Sequence, residues 1–154
     1  MIRIWKSFVV TLLLFAVPFS MAGAADAPTK DEVQARVKAA IAFYKANGKE
    51  KGIAELNKKD GQFSTGEDYV DVHDMNGVCL AHIQPALVGV NRLEQADPSG
   101  KFVYKEIIAA SKSKPSGWID YMRKNPVDGK IEKKIAYWEV HDGLIFKAGT
   151  YESK

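Results

Sequence analysis

Between residues 28 and 47 the apolar positions Val33, Val37, Ala40, Ile41 and Tyr44 recur at helical spacing, which predicts an amphipathic helix with one buried face. Thr29 stands where an N-cap belongs, and Glu32 three residues later completes a capping-box spacing. Gly48 ends or bends this helix, and residues 49–59, with Ile53 and Leu56 apolar, read as a second, shorter one. After a connector at 61–66 the period drops to two. Residues 69–74 and 78–83 read as strands around Met75-Asn76-Gly77. A two-residue Asn76-Gly77 turn would put Met75 opposite Val78 and Asp71 opposite His82. Residues 85–97 are mixed helix and loop, and Asp97-Pro98-Ser99-Gly100 is a turn. Phe102, Val103, Ile107 and Ile108 predict a short helix over 102–112, broken at Pro115-Ser116-Gly117. Three strands close the chain, at 117–124, 133–141 and 144–151, the last two joined at Asp142-Gly143.

The connections between strands are short, so neighbours should pair antiparallel. The pattern predicts an α+β domain in which a long N-terminal helix packs on an antiparallel sheet. The 154 residues carry no repeat and fit one domain, here taken as residues 26–154.

The first 25 residues have a different layout. Met1 to Lys6 is short and basic, residues 7–19 are almost wholly apolar, and Ala22-Gly23-Ala24 satisfies the small-x-small rule. This is the layout of a secretory signal peptide, with cleavage expected between Ala22 and Ala25 and export to the periplasm or the extracellular space. The alternative is an anchor that is kept, although the run is short for a bilayer and contains Pro18. No Cys stands near the cleavage region for a lipid anchor, and no second apolar run of spanning length follows. Without Arg3 and Lys6 the balance of 22 basic and 19 acidic residues falls from +3 to +1, which gives no reason to seek nucleic acid. Cys79 is the only cysteine, so an internal disulfide and a CxxCH haem attachment are both excluded, and a buried inert thiol is expected.

The segment "YVDVHDMNGVCLAHIQPALVGVNRLEQADPSGKFVYKEIIAASKSKPSGWIDYM" resembles the single-Cache family of extracytoplasmic sensor domains, second subtype. The resemblance rests on Tyr69, Asn76-Gly77, Ala81-His82, Leu87-Val88-Gly89 with Asn91, Asp97 to Lys101, and Gly117-Trp118 with Tyr121. Lys134, Tyr137 and Tyr151 in the closing hairpin add to it. It spans about residues 30–152. It implies a PAS-like antiparallel sheet of five or six strands behind the long helix, and a pocket beside the sheet that binds small molecules, often short organic acids or similar metabolites. Such domains usually form the outer part of chemoreceptors or sensor kinases. No second span or signalling module is read in this sequence, so the domain is expected to act as a free binding protein or through a partner. Two positions depart from the family pattern, His82-Ile83-Gln84-Pro85 in place of His-Pro, and the acidic Asp71.

A carboxylate ligand needs a cation, hydroxyl or amide donors and an apolar wall. The candidates are His82, Arg92, Trp118, Tyr121, Lys134 and Tyr137, with Tyr69 and Tyr104 behind them. Strand alternation sends Trp118 and Tyr121 to opposite faces, and Lys134 and Tyr137 likewise. The aromatics are equally able to be plain core. His73, His82 and Asp71 fall on one hairpin, but no tight ligand motif accompanies them, and solvated or hydrogen-bonded imidazoles are expected rather than a metal site. No GxSxG, phosphate loop, CxxC or dinucleotide fingerprint is present, and no cofactor is implied. The expectation is a non-enzymatic binding module. The alternative is an interaction protein that pairs through its first helix with itself or with a membrane sensor, its pocket filled by its own side chains.

Overall fold

The computed structural model describes residues 27–66, 68–125 and 129–152. The N-terminal segment, its cleavage region and the anchor alternative lie outside the described residues, as do residues 126–128 of the loop after the third predicted strand.

Helix α1 (Lys30–Asn47) starts at Thr29, whose hydroxyl accepts the Glu32 amide while the Glu32 carboxylate accepts the Thr29 amide. Gly48, at φ +83°, ends it and opens α2 (Lys49–Leu56), which stops short of the sequence reading of 49–59. A small ribbon, β1 (Ser64–Thr65) with β2 (Asp68–Tyr69), precedes the main sheet. That sheet is built from β3 (Asp71–Asp74), β4 (Cys79–Ala81), β5 (Ser116–Lys124), β6 (Ile131–His141) and β7 (Leu144–Tyr151), with α3 (Val103–Ser111) between β4 and β5. Its order is β4-β3-β7-β6-β5, antiparallel throughout, so the last strand lies in the centre.

Two local readings are corrected. The predicted strand over 69–74 divides at Val70, because the Val70 amide turns to the Phe63 carbonyl and Tyr69 joins the ribbon. The first hairpin closes with a three-residue loop, residues 75–77: the Asp74 amide donates to Val78, and the Gly77 amide donates to Asp74. Met75 therefore does not face Val78. Gly77 takes φ +82°, and a side chain there would stand 2.9 Å from the Leu93 amide nitrogen. A register shift between Val72 and His73 restores the expected alignment at Val72↔Ala81. At the other hairpin Asp142 and Gly143 both take positive φ, 52° and 67°, as a type I′ turn requires.

Alternation divides the sheet into two faces. On one, Val33, Val37, Ala40, Ile41 and Tyr44 of α1 pack on Val72, Tyr137, Leu144, Phe146 and Ala148. On the other, Val103 and Ile107 of α3 pack on Ile119, Ala136, Trp138 and Ile145. The segment between β4 and α3 lies over the remainder of this second face. Here the apolar alternation gives way to charge.

Candidate functional site

Strand β7 reads LIFKAGTY, an apolar run with one cation in it. Antiparallel register sets that cation, Lys147, opposite Asp71 of β3. Each is 4% exposed, and Lys147 Nζ lies 2.8 Å from Asp71 Oδ2. The other carboxylate oxygen accepts the Tyr104 hydroxyl at 3.1 Å, and His73 Nδ1 stands 3.2 Å from it without hydrogen-bond alignment. Tyr121 Oη is 3.3 Å from Lys147 Nζ. Burial pushes the Asp71 carboxyl up, but the Lys147 ammonium together with His73 and His82 more than reverses that and holds the group well below the usual range. Burial pulls Lys147 down, and Asp71 with Tyr104 and Tyr121 more than reverses that. This is a buried ion pair with both carboxylate oxygens engaged.

A pocket of about 370 Å³ opens beside it, lined by Arg92, Tyr104, Tyr121, Arg123 and Lys147 among others. A second, of about 560 Å³, is lined by Tyr69, Ile83, Pro85, Ala86, Lys134 and Tyr151. Gln84, Arg123 and Lys124 line both, so the two adjoin as halves of one cleft. Asp97 ties the covering loop to the sheet by accepting the Met122 amide at 2.7 Å and the Lys101 amide at 2.8 Å. Burial raises its carboxyl, yet bonds from Ser99, Lys101 and Met122 hold it down at about 2.

Lys134 is 4% exposed and its ammonium lies over the rings of Tyr69 at 5.2 Å and Tyr151 at 4.8 Å. It has no hydrogen-bond acceptor among the described residues, and burial lowers its pKa. Arg92 bonds Gln95 and lies 5.4 Å from the Tyr104 ring centroid. The cleft thus gathers Arg92, Arg123, Lys134 and Lys147 around one buried carboxylate, Asp71, which gives it a net positive field.

His82 lies behind Tyr69, ring centroids 4.7 Å apart, and is 1% exposed. Its Nδ1 accepts the Gln84 amide at 2.9 Å, which leaves the proton on Nε2, a buried donor with no partner. Burial drives its pKa down to about 4, so it is neutral at pH 7 and offers a hydrogen bond rather than a charge. His73, expected to be solvated or hydrogen-bonded, is buried and stacks on Tyr104 at 3.8 Å. Among the described residues no three of His, Cys, Asp and Glu gather as a metal site would need. Cys79 is buried and its thiol is pushed up to about 11 by that burial.

Of the eight residues singled out from sequence, the structure brings Tyr69, Arg92, Tyr104, Tyr121 and Lys134 to the cleft wall, with His82 behind it. It does not bring Trp118 and Tyr137 there. Their rings meet at 5.3 Å on the α1 face, with Lys30 over Trp118 and Glu139 accepting the Tyr137 hydroxyl. The sequence reading missed Lys147, Arg123 and Gln84. A lone lysine in an otherwise apolar strand was the available signal for the first. For Arg123 it was the alternation from Tyr121.

The family model described as Single Cache domain 2 matches residues 24–143. Three solved structures share the fold. A Cache chemosensory domain described for its carboxylic acid recognition is 23% identical, with TM-score 0.61 over 80% of this chain and 88% of that one. The periplasmic sensor domain of a chemotaxis protein is 20% identical, TM-score 0.60, over 80% and 90%. A methyl-accepting chemotaxis protein from Vibrio parahaemolyticus RIMD 2210633 is 24% identical, TM-score 0.66, over 79% and 87%. No curated protein matches the chain.

Proposed function

The chain belongs to the single-Cache domain family, and on that premise we propose that it is an exported, sensor-type domain that binds a short organic acid without chemistry. The acid enters the cleft between the sheet and the covering loop, and its carboxylate meets the cationic wall. One observation carries this reading: the buried Lys134 ammonium has aromatic rings around it and no acceptor among the described residues, beside open volume. A buried charge left without a counter-group is costly, and an anion from solution removes that cost. A similar fold described for carboxylic acid recognition adds support for the ligand class.

The open cleft favours binding over a purely structural role. In addition, the apolar residues of α1 are already buried against the sheet, which leaves that face nothing to offer a second helix. A soluble export product with a periplasmic address, reporting to a membrane partner, is consistent with the signal-peptide layout of residues 1–25.

The test is a thermal-shift panel of acetate, propionate, lactate, succinate, amino acids and amines. A ligand held at one hundred times its Kd adds about 2.7 kcal/mol of stability to the folded state. The expected outcome is a rise with at least one short carboxylate and none with amines. A folded protein that no carboxylate stabilises would contradict the proposal.

A further inference from the structure

The two halves of the cleft are not equivalent. In the first, Lys147 already holds a carboxylate, that of Asp71, with Tyr104 donating to its second oxygen. Both partners are 4% exposed and lie on central strands in direct register. This is a complete carboxylate-binding arrangement whose occupant is part of the chain. In the second half Lys134 is equally buried, has π-faces on two sides and lacks a carboxylate. Arg123 lines both halves, and it too has no hydrogen-bond acceptor among the described residues. The wall on this side is apolar, from Ile83, Pro85 and Ala86.

We propose that Asp71 is an internal carboxylate that closes the Lys147 seat, and that the ligand's acid group is held by Lys134 and Arg123 between Tyr69 and Tyr151. This rests on the carboxylate-binding reading above and narrows it. The ligand then carries one acid group and a short apolar tail. A second acid group reaching Lys147 would have to displace Asp71 from a 2.8 Å contact at the centre of the sheet. Propionate therefore binds and succinate binds much more weakly.

Calorimetric titration of the purified protein with propionate and succinate decides this, with melting curves on each variant to establish folding. Lys134→Met should lose propionate affinity by at least about tenfold, the worth of a hydrogen-bonded charge contact. The double variant Asp71→Asn with Lys147→Met removes the internal pair as a unit and should keep propionate affinity within about threefold. Retained affinity in folded Lys134→Met overturns the proposal by itself, whatever the double variant does. So does a folded double variant that loses propionate binding, since Lys147 would then be the ligand's cation. Wild type that binds succinate as well as propionate also overturns it. If wild type binds neither acid nor any other carboxylate, the parent reading fails, a result distinct from these.

Discussion

Two side chains set the behaviour of the site. Lys134 is a cation that folding places at a net cost, because burial opposes its charge, the rings of Tyr69 and Tyr151 offset only part of that, and the described residues offer it no hydrogen-bond acceptor. Replacing it with methionine removes a desolvation cost while filling similar volume. Lys134→Met is expected to melt at the same temperature as wild type or higher, by an amount on the order of 1 kcal/mol, even as it loses ligand. A clear fall in melting temperature would mean that the ammonium has a structural partner. His82 gives the second residue-level prediction. Its folded pKa of about 4 lies below the unfolded value near 6.5, so the unfolded chain binds the extra proton between these limits. Stability from this group is present above pH 6.5 and is lost as pH falls toward 4. His73, lowered by burial, acts in the same direction, whereas Asp71, held well below its usual range by Lys147, titrates beneath this window. The Asp71 charge favours the imidazolium and opposes the burial, while the charges of Arg123, Lys147 and Arg92 add to it, and the net direction is down. Denaturant unfolding at pH 7, 5.5 and 4.5 should show a flatter profile for His82→Gln than for wild type. Parallel profiles would remove His82 from the account.

Elements were readable where their signals are local. Thr29 with Glu32, the five apolar positions of α1, and Asp142-Gly143 each act within a few residues, and α1 and β7 appear almost at the expected bounds. The first hairpin was harder. Its turn length depends on a register shift at Val72 and on the close approach of Leu93 to Gly77, and both are tertiary. The cleft was legible in part for the same reason. Alternation correctly parted Trp118 and Tyr137 from Tyr121 and Lys134, but Lys147 gains its meaning only from strand order, which sets β7 beside β3. Two substitutions separate elements that hold the fold from elements that hold the site. Thr29→Ala removes the capping box and should cost about 1 kcal/mol with ligand affinity unchanged. Gly77→Ala imposes a side chain at φ +82° against the Leu93 backbone and should cost at least about 1 kcal/mol. Because Leu93 belongs to the covering segment, Gly77→Ala should weaken ligand binding as well. Equal affinity losses in the two variants would argue against that separation.

Across the whole molecule, the sheet serves two purposes with its two faces. The α1 face is apolar and closed, and it supplies stability that a chain with one cysteine cannot draw from an internal disulfide. The α3 face keeps its own apolar patch and leaves the rest charged and open. The Asp71–Lys147 pair lies at that boundary. Breaking it one-sidedly with Asp71→Ala should cost about 3–5 kcal/mol, while the neutral double replacement should cost far less. Similar losses in both variants would mean that the pair's shape, not its charge balance, is what the fold needs. The central claim is that the open part of this face selects a negative carboxylate. It is tested most directly by calorimetric titration of the protein with propionate and, side by side, with propionamide, which has nearly the same shape and no charge. Saturable binding of propionate with none of propionamide is the predicted result. Equal binding of the two, or binding of neither by the folded protein, would contradict it.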